Sequence, residues 1–154
     1  MLDLGTGSGA IAIALSKEES NMDVYASDIS SDAIELAKKS AILNGAKIEF
    51  KVGSWFEPFE NEKFDIIVSN PPYLTTTEYV EDIVKDNEPD VALYGGVDGL
   101  LHYKEIIKNA KKYLKDKFVL GFEHGYKSKD ELNKIIKLHF DDVKIVNLKD
   151  SMGN

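Results

Sequence analysis

Short apolar runs alternate with longer amphipathic stretches along the 154 residues of the chain. The apolar runs have the length and composition of strands, which are predicted over residues 1–4, 22–27, 47–52, 64–69, 118–123 and 143–148. Helices are predicted between them, over residues 10–17, 32–43, 98–114 and around 132–140. Strands that alternate with helices of this length predict an α/β fold with a mostly parallel, doubly wound sheet.

The local sequence also predicts where two of these helices begin and end. Asp32 and Glu35 have the spacing of a capping pair at the start of the second helix, and Asn44-Gly45 is a typical helix end. In the third helix, apolar residues recur on one stripe: Leu100, Tyr103, Ile107, Ala110 and Leu114. We therefore expect that helix to continue to residue 114.

A glycine-rich loop follows the first predicted strand and leads into the first helix. Gly5, Gly7 and Gly9 permit a tight turn that a ligand can approach closely. By itself, the loop also fits the fingerprint of a nicotinamide dinucleotide site. Asp3 favours instead a cationic ligand, such as a sulfonium with its amino group, because an acid is unhelpful beside a pyrophosphate. Asp28 ends the second strand, where doubly wound folds place a carboxylate for ribose hydroxyls.

The fourth predicted strand ends at the sequence Asn-Pro-Pro-Tyr, residues 70–73. Neither proline has an N–H to donate and both have a fixed φ, so the chain forms a stiff corner here. Asn70 offers a side-chain amide, Pro71 a carbonyl and Tyr73 a flat ring. These groups could hold a planar group that carries an –NH2, and adenine and a primary carboxamide are the two candidates.

The charge and composition narrow the set of ligands. The net charge is −8, and all 19 basic residues are lysine, so the chain lacks the arginines that usually bind phosphate and guanine. These features argue against direct nucleic-acid binding. The sequence has no cysteine for disulfides or thiolate metal sites, its three histidines lack ligand spacing, and no stretch is long enough to span a membrane. We expect a cytoplasmic protein without a bound metal.

Together, the glycine loop, Asp28 and the corner resemble a class I S-adenosylmethionine-dependent methyltransferase that modifies an exocyclic or amide nitrogen. Two further stretches are similar to HemK-type methyltransferases. Residues 88–103 read Glu-Pro-x-x-Ala-Leu-x-Gly-Gly-x-Asp-Gly-Leu-x-x-Tyr, and residues 123–125 read Glu-His-Gly. The HemK family methylates the glutamine of a Gly-Gly-Gln motif in peptide chain release factors. The resemblance therefore implies a Rossmann-like catalytic domain over residues 1–154, with S-adenosylmethionine as cofactor and a release factor as partner.

The resemblance also implies roles for individual residues. The cofactor-binding residues that it implies are Asp3, Gly5, Thr6, Gly7, Gly9, Asp28, Ile29, Ser54, Trp55 and Asn70. Ser54 and Trp55 would contact adenine, although the family usually has an acid at the position of Ser54. The substrate-binding residues that it implies are Asn70, Pro71, Pro72 and Tyr73. Among these four, the catalytic residues would be Asn70, Pro71 and Tyr73.

Both ends of the chain depart from the family pattern. Met1 falls inside the first predicted strand, which leaves no room for the N-terminal helical domain of similar enzymes. Residues 149–153 resemble the turn before their last strand. We therefore expect a fold that is incomplete at both ends, either a fragment that lacks its N-terminal domain or a reduced homologue that needs a partner chain. Three functions stay open: glutamine methylation on release factors, adenine N6 methylation on DNA or RNA, and an inactive fragment that binds the cofactor.

Overall fold

The computed structural model describes residues 1–75 and 95–149. The chain forms two compact units, which we call the sheet unit (residues 1–70 and 112–123) and the helical unit (residues 71–111 and 124–154). In this described part of the chain, no helix is both long and apolar enough to cross a membrane.

The sheet unit contains five strands that are all parallel. Their bounds are β1 (Leu2–Leu4), β2 (Tyr25–Asp28), β3 (Glu49–Val52), β4 (Phe64–Ser69) and β5 (Leu114–Phe122). Two helices belong to this unit, α1 (Ala10–Glu18) and α2 (Ser31–Asn44). The central strand β1 is buried throughout, including Asp3 between its two leucines. The α/β class and the parallel, Rossmann-like sheet are therefore confirmed.

The strand order in the sheet is β3-β2-β1-β4-β5, so the side on which the chain adds its strands changes beside β1. From β1 the chain proceeds to β2 and β3 on one side, and it then crosses to β4 and β5 on the other side. Open α/β sheets bind ligands in the crevice at such a switch point, outside the carboxyl ends of the strands. A ligand is therefore expected at the loops that follow β1 and β4.

Helix α2 ends as predicted but begins differently. Its N-terminal cap is Ser30, whose hydroxyl oxygen accepts a hydrogen bond from the Ala33 N–H (3.2 Å). The capping pair predicted for Asp32 and Glu35 is therefore wrong, and Asp32 lies instead in the first turn, where its charge favours the helix dipole. Gly45 ends the helix in the left-handed conformation, as the sequence predicts.

The helical unit contains α3 (Leu101–Ala110), a short 3₁₀ helix (Tyr126–Ser128) and α4 (Lys129–His139). The predicted stripe of α3 is buried at Tyr103 and Ile107. The helix nevertheless ends at Ala110, and Leu114 opens β5, so the prediction of a helix to residue 114 was wrong. A buried apolar residue suits the next position of a helical stripe and the first position of a buried strand equally well, and periodicity alone cannot separate them.

Strand β5 begins earlier than residue 118, where the sequence predicts its start. Phe64 pairs with Leu114, but Ile66 pairs with Val119, so β5 bulges between these two pairs. The bulge contains exposed charged residues: Lys115, Asp116 and Lys117. Because charged residues are uncommon in strands, the sequence pattern does not predict a strand over these three residues.

Among the described residues, 143–149 form no strand, so the strand predicted over residues 143–148 is wrong. Val146 and Leu148 are 61% and 87% exposed. Alternating apolar residues mark the two faces of a strand, but a strand also needs a neighbour that satisfies its backbone N–H and C=O groups. The residue pattern carries no information about that neighbour.

Candidate functional site

The loops that follow β1 and β4 begin at the same edge of the sheet. Leu4 and Ser69, the last residues of these strands, are paired in register. The buried Ser69 hydroxyl also donates a hydrogen bond to the Leu4 carbonyl oxygen (2.8 Å). Gly5 and Asn70 come directly after this pair, and Asn70 is exposed. Asn70 and the glycine loop (residues 5–9) therefore start side by side.

The three glycines of the loop have left-handed backbone conformations. The φ angles of Gly5, Gly7 and Gly9 are 66°, 55° and 85°, which L side chains rarely adopt. A Cβ atom at Gly9 would lie 3.1 Å from the Cβ of Ala37, so this glycine also lets α1 approach α2. A Cβ atom at Gly7 would have no described atom within 4 Å. The space beside Gly7 is therefore open to a ligand.

Thr6 connects the loop to three elements of the sheet unit. Its N–H donates a hydrogen bond to the Ser27 carbonyl oxygen of β2 (2.9 Å), and its own carbonyl accepts one from the Gly9 N–H before α1 (2.9 Å). Its buried hydroxyl donates a hydrogen bond to Asp3 Oδ2 of β1 (2.6 Å). The carboxylate of Asp3 is thus held in one orientation.

Asp3 is a buried acid with an unused acceptor. Its side chain is 1% exposed, and its Oδ1 has no hydrogen-bond partner within the described residues. Burial raises the pKa of Asp3 from 3.8 to about 6, against interactions with the Thr6 hydroxyl and the Ala12 backbone, which lower the pKa. A buried carboxylate oxygen without a donor is costly, so this site favours a ligand that supplies a donor or a positive charge.

Asp28 lies beside the glycine loop, at the carboxyl end of β2. Its Oδ2 accepts a hydrogen bond from the Gly7 N–H (2.9 Å), and its Oδ1 accepts one from the Ser30 N–H (2.9 Å). Each carboxylate oxygen keeps a lone pair for a further donor. Ile29, the next residue, is 69% exposed. Asp28 therefore stands where a ribose hydroxyl of a ligand on the loop could reach it.

Trp55 packs against the glycine loop. An atom of its indole ring lies 3.3 Å from the Cβ position of Gly5, and its carbonyl accepts a hydrogen bond from the Ser27 hydroxyl (3.1 Å). The Trp55 backbone has a φ of 42°, which is uncommon for a bulky residue. Such backbone strain tends to occur at ligand sites. Trp55 is half-buried, so the residue keeps some exposed surface beside the loop.

Glu57 is a candidate residue that the sequence interpretation missed. The Ser54 N–H donates a hydrogen bond to Glu57 Oε2 (3.2 Å), and the Glu57 N–H donates one to the Ser54 carbonyl oxygen (2.9 Å). Ser-x-x-Glu is the signature of a capping box, and this signal could have identified the pair. The turn brings the Glu57 carboxylate to the backbone of Ser54, the position at which the resemblance leads us to expect an acid.

The corner at residues 70–73 is divided between the two units, after Asn70. In the helical unit, Pro71 is fully buried, and Pro72 and Tyr73 are half-buried. Gly95 donates a hydrogen bond from its N–H to the Leu74 carbonyl oxygen, just after the corner (2.8 Å). The structure thus collects the predicted cofactor residues in the sheet unit, and three of the four predicted substrate residues belong to the helical unit.

A cavity of about 550 Å³ opens elsewhere in the sheet unit, at the amino ends of the strands, where Met1, Tyr25 and Phe64 line it. Parallel α/β sheets bind ligands at the opposite, carboxyl edge. We therefore assign the functional site to the glycine loop and not to this cavity.

Residues 1–88 match the model of a family described as the methyltransferase small domain. The chain belongs to this family. A Bacillus subtilis relative named release factor glutamine methyltransferase is 40% identical over 157 residues, which cover 99% of this chain and 54% of the relative. A Rickettsia bellii relative named bifunctional methyltransferase is 44% identical over 143 residues, which cover 90% of this chain and 26% of the relative. The chain therefore spans about half the length of the first relative and about a quarter of the second.

The fold of this methyltransferase family member also matches a solved structure, the 16S rRNA N2 G1207 methyltransferase of T. thermophilus in complex with AdoMet and guanosine. The TM-score is 0.64 at 22% identity, over 90% of this chain and 32% of that one. At this identity the likeness shows the fold alone. The resemblance to release factor glutamine methyltransferases is confirmed by the names of the relatives. Its motif residues 88–94 and 150–153 lie outside the described residues.

Proposed function

We propose that this protein transfers a methyl group from S-adenosylmethionine to the side-chain amide nitrogen of the glutamine in the Gly-Gly-Gln motif of peptide chain release factors. One observation carries the proposal: the buried Asp3 carboxylate has an unused oxygen beside an open glycine loop, at the sheet edge where Asn70 begins. Relatives named release factor glutamine methyltransferase support the choice of substrate. Release factors act in the cytoplasm, which is where we place the protein.

The residues of the sheet unit suit this cofactor. When bound, S-adenosylmethionine supplies an electrophilic methyl group on a sulfonium, which leaves as a neutral thioether. Asp3 would accept a hydrogen bond from the amino group of the cofactor, and its charge would attract the cation. Asp28 would accept hydrogen bonds from the ribose hydroxyls. Trp55 would flank the adenine, and Ser54 would contact its edge.

The corner suits an amide substrate. An amide nitrogen is a weak nucleophile because its lone pair is delocalised into the carbonyl. The Asn70 side-chain oxygen and the Pro71 carbonyl would accept hydrogen bonds from its two N–H groups, which returns electron density to the nitrogen and aims it at the methyl group. The N–CH3 bond forms as the S–CH3 bond breaks, and the methylated nitrogen then loses one proton to water. Tyr73 would pack against the plane of the amide. Positive charge disperses during the transfer, and these polar acceptors suit that change.

The substrate is recognised by more than the corner in this proposal. The relatives are about twice as long as this chain or longer, and we propose that an N-terminal domain or a partner chain helps to hold the release factor. Adenine N6 methylation is not favoured, because the relatives' names do not support it and the chain has a net charge of −8 without any arginine.

The proposal is tested with labelled S-adenosylmethionine. The chain is incubated with a release factor, with the release factor whose Gly-Gly-Gln glutamine is changed to alanine, and with DNA and RNA. We expect label on the first protein only. Label on nucleic acid alone would contradict the proposal, and cofactor binding without transfer to any substrate would favour the inactive fragment.

The variant Asn70→Ala tests the role of the corner. We expect its rate of methyl transfer to fall by about 100- to 1000-fold, as when one charge-stabilising hydrogen bond is removed from an active site. Its dissociation constant for the cofactor should change by only a few fold. A large loss of cofactor affinity would show that Asn70 supports the fold or the cofactor and not the substrate.

A further inference from the structure

The glycines of residues 95–99 have no role in the proposed chemistry, although they are part of the family resemblance. We call these residues the brace loop. In the helical unit, its first residue is bound on both sides: the Gly95 N–H donates to the Leu74 carbonyl oxygen (2.8 Å), and the Gly95 carbonyl accepts from the Leu101 N–H (3.0 Å). The loop therefore links the segment after the corner to the start of α3.

Asp98 binds the C-terminal end of the brace loop to the start of α3. Its Oδ1 accepts a hydrogen bond from the Leu100 N–H (3.0 Å), and its Oδ2 accepts one from the Lys104 ammonium (2.5 Å). Lys104 lies in the first turn of α3, which buries Tyr103, Ile106, Ile107 and Ala110. The brace loop is thus attached to a helix with a packed apolar face.

The Pro72 carbonyl occupies the space that a side chain at Gly95 would need. A Cβ atom there would lie 2.5 Å from the Pro72 oxygen and 2.8 Å from the Gly99 oxygen. Both neighbours are backbone atoms, which cannot turn aside as a flexible side chain can. A residue other than glycine at position 95 would therefore displace the corner or the brace loop.

Gly99 approaches the backbone of Tyr73 as closely as Gly95 approaches that of Pro72. A Cβ atom at Gly99 would overlap the Tyr73 carbonyl oxygen, and the φ of Gly99 is 68°, in the left-handed region. Gly125 contacts the Tyr73 ring more loosely, because a Cβ atom there would lie 3.4 Å from the nearest ring carbon. Two consecutive carbonyl groups of the corner thus lie against two glycines of the brace loop.

We propose that Gly95 and Gly99 are positioning residues, which fix the Pro72 and Tyr73 carbonyl groups and thereby orient the substrate acceptor at Pro71. This inference rests on the proposed function, because it assumes that the corner holds the amide. The carbonyls of Pro72 and Tyr73 lie against Gly95 and Gly99, so a side chain at either glycine would shift the peptide groups that follow Pro71.

A series of alanine variants tests the brace. Gly95→Ala should lower the rate of methyl transfer at least tenfold, and Gly99→Ala about a hundredfold, because a shift of about 1 Å in a positioned group can cost that much. Gly125→Ala should stay within about twofold of the unchanged protein, since its added methyl makes an ordinary contact. The dissociation constant for the cofactor should stay within about threefold in all three variants, because the cofactor residues lie in the sheet unit.

Gly45→Ala is the matched control. Gly45 has a φ of 62°, close to that of Gly99, but a Cβ atom there would meet no described atom within 4 Å. Alanine at position 45 would therefore adopt the same left-handed backbone, at the end of α2, without meeting the corner. If Gly95→Ala and Gly99→Ala transfer methyl groups as fast as Gly45→Ala, the positioning role of Gly95 and Gly99 is overturned.

Amide hydrogen exchange separates this inference from the proposed function. The N–H groups of Tyr73 and Leu74 should exchange faster in Gly95→Ala than in Gly45→Ala, whatever substrate the protein uses. If the unchanged protein does not methylate a release factor, the proposed function fails. The exchange data still show whether Gly95 holds the corner in place. Unchanged exchange at Tyr73 and Leu74 would overturn this positioning role. Should Gly99→Ala not fold, Gly95→Ala alone gives this result, because its φ is not left-handed.

Discussion

The glycine loop and the brace loop are both rich in glycine, but their glycines serve different contacts. Beside Gly7, the space that a side chain would fill is empty of described protein atoms. Beside Gly95 and Gly99, that space contains backbone oxygens of the chain itself. The first loop thus leaves room for a ligand, whereas the second loop lets the protein approach its own backbone.

A glycine motif therefore does not by itself indicate a ligand. The loop at residues 5–9 has further groups that suit a ligand: the unused Asp3 oxygen, the Asp28 carboxylate and the Trp55 ring. Among the described residues, the brace loop has Asp98, whose carboxylate is already bound to Leu100 and Lys104. Changes in the first loop should therefore affect cofactor binding, and changes in the second should affect turnover.

Among changes in the glycine loop, Gly7→Ala should weaken cofactor binding most. Its methyl group would enter the space of the ligand, and we expect the cofactor to bind about 100-fold more weakly, which corresponds to about 2.7 kcal/mol. The stability should fall by only about 1 kcal/mol, as expected for alanine at a left-handed position. Isothermal titration and thermal unfolding measure the two quantities. Equal cofactor affinity in Gly7→Ala and Gly45→Ala would remove the distinction between the two loops.

Asp3→Asn should weaken cofactor binding by about 30-fold, because a hydrogen bond to a charged group is typically worth about 1.5–3 kcal/mol. The folded protein should not lose stability, since a neutral amide replaces a buried charge. The expected pattern is therefore lower affinity with an equal or higher melting temperature. A lower melting temperature with unchanged affinity would show that Asp3 serves the fold alone.

Cofactor affinity should depend on pH through Asp3. The pKa of this acid is raised to about 6 by burial, so its charged form decreases as the pH falls below that value. We expect about tenfold weaker binding at pH 5 than at pH 7. Asp3→Asn removes this dependence if Asp3 is its source, and a dependence that persists in that variant would identify another group.

The stability of the cofactor-free protein should have the opposite dependence. The folded pKa of Asp3 lies above the unfolded value of 3.8, so the folded state binds more protons between these values. The contribution of Asp3 therefore becomes less favourable by about 2 kcal/mol as the pH rises from 4 to 7. Unfolding in denaturant at both pH values, compared with Asp3→Asn, measures this difference.

Thr6→Val should give the smallest effect. The valine keeps the shape of the threonine but removes the hydroxyl that donates to Asp3, so the pKa of Asp3 should rise further. We expect about threefold weaker cofactor binding at pH 7 and recovery at pH 8. Thr6→Ser keeps the donor and should bind as the unchanged protein does. If Thr6→Val and Thr6→Ser have the same pH profile, the hydroxyl has no role in positioning Asp3.

Local signals predicted the elements whose neighbours are close in sequence. The bounds of β4 are those predicted, because an apolar run ends at two prolines there, and Gly45 ends α2 in the left-handed conformation. The predictions failed where two structures fit the same pattern. Leu114 suits a helical stripe and a buried strand alike, and the alternation over residues 143–148 cannot supply a partner strand.

The order of residues was enough to predict the α/β class, the resemblance to a methyltransferase, and the residue types of the proposed site at Asp3, Asp28 and residues 70–73. These features depend on periodicity and on spacing within single loops, which are local properties of the chain. The folded chain was needed to learn which oxygen of Asp3 lacks a partner, where the Glu57 carboxylate lies and what the glycines of the brace loop contact. Each of these depends on atoms brought together by folding, and their distances cannot be read from the order of residues.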